Sequence, residues 1–191
     1  MIDKADIDNA LQVLKRGGII LYPTDTIWGI GCDATNAEAV ERVYRIKNRV
    51  DSKAMICLLA DADDLERWVC GVPEVAYELL EAAVEPLTVI YDRAIVPPIA
   101  PNLPAADGSL AVRVTKDAFC RELCRRLRKP LVSTSANISG KPAPKAYNAI
   151  TKEILEAVDY VCSSRRASSE ANVKPSSIIK LTESGVVKII R

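Results

Sequence analysis

Residues 17–31 read Gly-Gly-Ile-Ile-Leu-Tyr-Pro-Thr-Asp-Thr-Ile-Trp-Gly-Ile-Gly. Ile19 to Tyr22 is an apolar run bounded by a glycine pair and a proline, which reads as a short buried strand. Upstream, Ile7, Ala10, Leu11 and Leu14 recur at helical spacing, so Asp3 to Arg16 is predicted to be a helix stopped by Gly17-Gly18. Downstream, Ile27 to Gly31 carries glycines that permit a tight backbone path. A helix feeding a buried strand, repeated along the chain, is the pattern that separates a layered α/β fold from a bundle or a sandwich.

That alternation continues. Asn36 reads as the N-cap of a helix from Ala37 to about Asn48, and Ala54 to Ala60 as a second buried strand. Asp61 to Cys70 and Pro73 to Val84 read as helices, the second opened by its proline. Leu87 to Tyr91, Ser109 to Val114, Pro130 to Thr134 and Val158 to Cys162 read as strands. Helices are expected over Asp117 to Arg128 and Ala146 to Ala157. Pro97, Pro98, Pro101 and Pro104 make Arg93 to Asp107 a loop, expected as a surface excursion. Ser135 to Pro144 and the polar stretch Ser163 to Lys174 are further loops. Ser176 to Leu181 and Val186 to Ile190, separated by Thr-Glu-Ser-Gly, read as a hairpin. The expected architecture is α/β (or α+β), one domain over 1–191, with a twisted sheet of mixed parallel and antiparallel strands.

Composition narrows the chemistry. At 191 residues the chain can bury one core without staples. The net charge is +1, so any attraction for phosphate must be local rather than global. Met1 to Asp6 is polar and acidic, so no secretory leader is expected, and no apolar run spans a bilayer; a cytoplasmic location follows as the expectation. None of the six cysteines stands in a CxxC pair, which favours core thiols over disulfides or a metal site. Histidine is absent, which removes Ser-His-Asp and Cys-His nucleophile arrangements and most catalytic zinc sites.

Five segments carry candidate chemistry. In extended chain Thr24 and Thr26 share a face at a strand end, where open sheets place their ligand crevices, although a proline-anchored turn uses hydroxyls in the same way. Lys47, Arg49 and Lys53 leave a helix together, as a phosphate clamp would, or as a solvated end complementing the helix dipole. In Ser133-Thr134-Ser135-Ala136-Asn137, Ser133, Ser135 and Asn137 share a face and offer hydroxyls and an amide to a ribose or phosphate. Arg113 near a strand end could grip a carboxylate through its two-pronged guanidinium, or pair at the surface with Asp117 or Glu122. Ser176-Ser177 opens the penultimate strand.

Taken in order, YPTDTIWGIGCDA, RIKNRVDSK, LAVRVT, PLVSTSANISGKPAP and KPSSII span most of the chain and resemble the YrdC family of threonylcarbamoyl-adenylate synthases. The resemblance implies a concave, basic sheet face. It implies a nucleotidyltransferase that joins L-threonine, bicarbonate and ATP into threonylcarbamoyl-AMP and pyrophosphate, for N6-threonylcarbamoyladenosine in tRNA, with Mg²⁺ accompanying ATP. By the same resemblance Lys47 and Arg49 are the catalytic basic pair on the phosphates. Lys53, Ser135, Asn137 and Ser176 line the nucleotide site, and Thr24, Thr26 and Arg113 the threonine site. No protein metal ligands are assigned. Downstream tRNA-modification enzymes are the implied partners, with no membrane.

One motif departs from the family. Where many members carry Trp-Pro-Gly-Pro-Leu-Thr, this chain has Ala83-Val84-Glu85-Pro86-Leu87-Thr88. A YciO-like sister group shares the fold but lacks the full basic and Ser-Ala-Asn set; Lys47, Arg49, Ser135 and Asn137 favour the synthase. The residues themselves leave open a YciO-like enzyme with another acceptor. They also leave open a module binding tRNA or double-stranded RNA through phosphates.

Overall fold

The strand read at residues 19–22 forms as β1 (Ile20–Tyr22), and its antiparallel neighbour is Gly29–Gly31 (β2), a segment read only as a tight backbone path. Strand pairing wins there because the ring of Tyr22 lies over both glycines. A Cβ on Gly31 would sit 2.7 Å from Cε1 of that ring and against the Val132 carbonyl. Gly31→Ala is therefore expected to lower stability by about 1–3 kcal/mol through overpacking, read as a lower urea midpoint with unchanged m-value.

The protein is described by a computed structural model over residues 3–48, 55–167 and 175–191. The remaining elements are α1 (Lys4–Lys15), α2 (Ala37–Ile46), β3 (Ile56–Leu59), α3 (Glu74–Ala82), β4 (Leu87–Tyr91) and β5 (Leu110–Val114). They continue with α4 (Ala118–Leu127), β6 (Leu131–Ser135), α5 (Lys152–Ala157), β7 (Tyr160–Val161), β8 (Ser177–Leu181) and β9 (Val187–Ile189). The strands form one nine-stranded sheet in the order β7-β1-β2-β6-β3-β5-β4-β8-β9. Pairs β1–β7, β3–β5 and β4–β8 are parallel and the others antiparallel, so the sheet is mixed. Among the described residues no helix is long and apolar enough to cross a membrane.

Side-chain alternation gives the sheet two unlike faces. Ile30, Val132, Cys57, Leu59, Val112 and Val89 point to one, where α2 and α3 pack their apolar sides over the larger core. Ile20, Tyr22, Leu58 and Leu131 point to the other, under α1 and α4. These two helices cover that face from β1 as far as Leu58 and Ala60 at the end of β3, and no further. The register carries the same face onward through Gly29, Ser135, Ser133, Ile56, Ala111 and Ile90, where residues are small or short of cover. That uncovered part becomes the cleft.

Helix starts follow the sequence. Asp3, Asn36 and Asp117 cap α1, α2 and α4, each accepting from backbone amides of the first turn. Three expectations are corrected. Residues 61–70 form not an α-helix but a 3₁₀ turn over Ala62–Arg67, after which Trp68 and Val69 turn into the core. The helix expected over 146–157 is split: a 3₁₀ turn at Tyr147–Ala149 precedes α5, because Ile150 adopts an extended backbone and buries. The proline-rich segment 93–107 is no surface excursion, since Ile99, Ala100 and Leu103 are buried in the larger core and Ala100 N–H donates to Ala34 O.

Candidate active site

The open part of the sheet floors a cleft of about 550 Å³. Its wall includes Thr26, Arg113, Ser135 and Ser176 from the residues singled out in sequence, and adds Thr88 and Arg191. Small side chains on strand ends make the volume: Gly29, Ala111 and Ser133 leave room that leucines would fill.

One end is built around Arg113. It projects from β5 and is almost wholly buried. Its Nη2 lies 3.2 Å from Asp25 Oδ1, and its Nη1 donates to Thr26 Oγ1 at 3.3 Å. It is thus an interior cation and not the surface partner of Asp117 or Glu122. The pairing is incomplete: among the described residues neither Arg113 Nε nor Asp25 Oδ1 has an aligned hydrogen-bond partner. A buried guanidinium with an idle donor is suited to a carboxylate. Burial raises the Asp25 carboxyl above its ordinary range, Arg113 opposing and Asp117 adding to the shift.

Thr24 and Thr26 do come together, with their hydroxyls 3.0 Å apart. Thr24 Oγ1 is absorbed by its own turn, donating to Ile27 O and accepting from the amides of Thr26 and Ile27. Thr26 faces the cleft and Thr24 braces it.

At the other end, β6 runs into the Ser135-Ala136-Asn137 loop. Lys47, the C-cap of α2, is fully buried beside it. Its ammonium donates to Ser135 O and to Asn137 O (2.7 Å), and stands 3.4 Å from Ser135 Oγ and Asn137 Oδ1. Ser139 N–H returns a bond to Lys47 O, so helix end and loop are tied in both directions. Asn137 Nδ2 donates to Ile138 O and Lys141 O, which turns its amide into the loop. Arg49 and Lys53 lie outside the described residues.

Ser176 shares a 2.8 Å hydroxyl contact with Thr88 and accepts from Arg191 Nη2 at its carbonyl. A bulge delivers Arg191: the amides of Ile190 and Arg191 both reach Ile178 O, and the extra residue re-aims the arginine toward the cleft. Nothing in the sequence marks that bulge. Arg165 was equally hidden, in a stretch read only as polar loop. It donates through Nη2 to Asp117 (2.6 and 2.8 Å) and through Nη1 to Thr24 O.

No thiol competes for the chemistry. Cys57 and Cys124 are pushed up to about 12 by burial, and no described cysteine is paired. Among the described residues no cluster of three or more Cys, Asp or Glu could hold a metal ion.

The sequence model of the Sua5/YciO/YrdC family, described as "Telomere recombination", matches residues 12–191. A relative from Stenotrophomonas maltophilia named threonylcarbamoyl-AMP synthase is 34% identical over 157 residues, 81% of this chain and 84% of that protein. The fold superposes on a variant of P. abyssi Sua5 with a TM-score of 0.88 at 25% identity. The match covers all of this chain but only 57% of the longer P. abyssi chain. E. coli YciO superposes with a TM-score of 0.83 at 22% identity, covering 100% of this chain and 90% of that one.

Proposed function

The chain belongs to the Sua5/YciO/YrdC family, and on that premise we propose that it is a threonylcarbamoyl-AMP synthase. The observation that carries this reading is the pairing, within one cleft, of a buried and incompletely paired Arg113 with a hydroxyl-rich strand end braced by Lys47. The first end suits an amino acid carboxylate and the second a nucleotide.

The reaction needs no nucleophilic side chain. The threonine amine attacks bicarbonate, giving N-carboxythreonine and water. A carbamate oxygen then attacks the α-phosphorus of ATP, and the bond to the β-phosphate oxygen breaks to release pyrophosphate. The protein's share is alignment and charge neutralisation. Arg113 and Thr26 hold the threonine, with Thr24 fixing their turn. Ser135 and Ser176 line the nucleotide side with Arg191, Asn137 shapes the loop that carries Ser135, and Lys47, Arg49 and Lys53 supply positive charge there. Among the described residues the cleft wall offers hydroxyls and no carboxylate. A Mg²⁺ would arrive on the phosphates, whose charge it neutralises. We further read residues 1–191 as one domain, acting in the cytoplasm on behalf of tRNA-modification enzymes.

Purified protein given ATP, L-threonine, bicarbonate and Mg²⁺ is expected to release pyrophosphate only when threonine and bicarbonate are both present. Turnover with a different amino acid and not threonine would move the assignment to a YciO-like enzyme. Salt-sensitive RNA binding with no response to ATP would replace it with a binding module.

A further inference from the structure

We propose that Arg165 is a positioning residue that balances charge at the Arg113 end of the cleft and so makes that end selective for a net-neutral, zwitterionic amino acid. The proposal rests on the reading that Arg113 receives a substrate carboxylate.

Behind the Arg113–Asp25 pair lies a second hollow of about 310 Å³, walled by both Asp25 and Asp117. The two carboxylates are close enough for Asp117 to push the Asp25 carboxyl upward. Arg165 occupies both groups that flank Asp25. Its Nη2 lies 2.8 and 2.6 Å from the two oxygens of Asp117, and its Nη1 donates to the Thr24 carbonyl at 3.2 Å. With Asp117 so engaged, Asp25 alone faces Arg113.

The charges then cancel. Asp25, Asp117 and Glu85 oppose Arg113, Arg165 and Lys116, the last donating to Ala83 O. An amino acid zwitterion adds no net charge to this set. A phosphate would add negative charge beside two carboxylates, which directs the nucleotide to the other end. Without Arg165, Asp117 becomes an uncompensated anion next to the arriving carboxylate.

The backbone agrees. Arg165 sits at φ 58°, in the left-handed region that non-glycine residues avoid unless their surroundings impose it. The imposition comes from Asp6 of α1, buried under the loop, which accepts from the amides of Ser163 and Ser164 and from the Tyr160 hydroxyl. A chain held this way presents Arg165 to the site already ordered.

Steady-state kinetics of the intact protein tests this. Arg165→Gln is expected to raise the KM for threonine on the order of tenfold while kcat falls less and the KM for ATP stays within about twofold. Adding Asp117→Asn, which removes the freed charge yet keeps an N-cap for α4, is expected to bring the threonine KM back to within about threefold of wild type. Arg165→Lys keeps the charge and is expected to recover much of the affinity. If the double variant is as impaired as Arg165→Gln, or the ATP and threonine constants move together, Arg165 is only a loop anchor and the inference falls alone. If the wild type neither binds threonine by calorimetry nor releases pyrophosphate with it, the functional reading and this inference fall together.

Discussion

Arg113→Met is expected to abolish measurable use of threonine. Two charge-assisted hydrogen bonds to a carboxylate are worth about 1.5–3 kcal/mol each, and every 1.4 kcal/mol is tenfold, so the threonine KM rises by about two to four orders of magnitude. Nucleotide affinity, set at the other end of the cleft, changes little. Calorimetric titration with threonine and with ATP separates the two. The substitution also removes the cation that restrains Asp25, whose carboxyl is already raised by burial. Its folded-state value then climbs further above the unfolded one. Such a group favours the fold while protonated, and this contribution is lost as pH rises through the folded value. Relative to wild type, the variant is therefore expected to be least impaired in stability at acid pH and to lose ground toward neutrality, measured by urea unfolding across pH. A stability difference independent of pH would mean that Arg113 and Asp25 are not coupled.

Lys47→Met is expected to damage both the fold and the nucleotide end. Methionine fills similar space but donates nothing to the carbonyls of Ser135 and Asn137. Two buried acceptors left without a donor cost about 1–3 kcal/mol each. A loss of about 3 kcal/mol lowers the melting temperature of a chain this size by roughly 6–12 °C. The Ser-Ala-Asn loop loses its tie to the α2 C-cap, so ATP affinity is expected to fall by more than about tenfold while threonine affinity is largely kept. Lys47→Arg, too large for a nearly sealed pocket, is not expected to rescue it. A Lys47→Met protein that melts like wild type and binds ATP normally would remove Lys47 from the site.

Much of this was legible before the fold was seen, and particular residues show why. The helices α1, α2 and α4 announce themselves by 3.6-residue periodicity and by Asp3, Asn36 and Asp117 at their starts, all local signals. The hydroxyl cluster at 133–135 was visible because an apolar strand ending in small polar residues breaks its own pattern. Gly29–Gly31 gave no strand signal because glycine has little strand preference of its own; Tyr22, seven residues earlier, supplies the packing that makes it a strand. The prolines at 97–104 suggested exposure, yet Ile99, Ala100 and Leu103 found a core to enter.

The sequence by itself determined the layered α/β class, the mixed sheet implied by its terminal hairpin, and the residue types from which a histidine-free site could be made, because these depend on periodicity and composition along the chain. Only the tertiary structure decided that Lys47 would be spent on loop carbonyls, that Arg113 would be buried against Asp25, that Arg191 would line the cleft and that Arg165 would hold Asp117 and the Thr24 carbonyl beside it. The reason is physical: burial, ion pairing and a bulge's change of direction arise between segments far apart in the chain, 88 residues for Lys47 and Ser135 and 141 for Thr24 and Arg165, and leave no local trace in either.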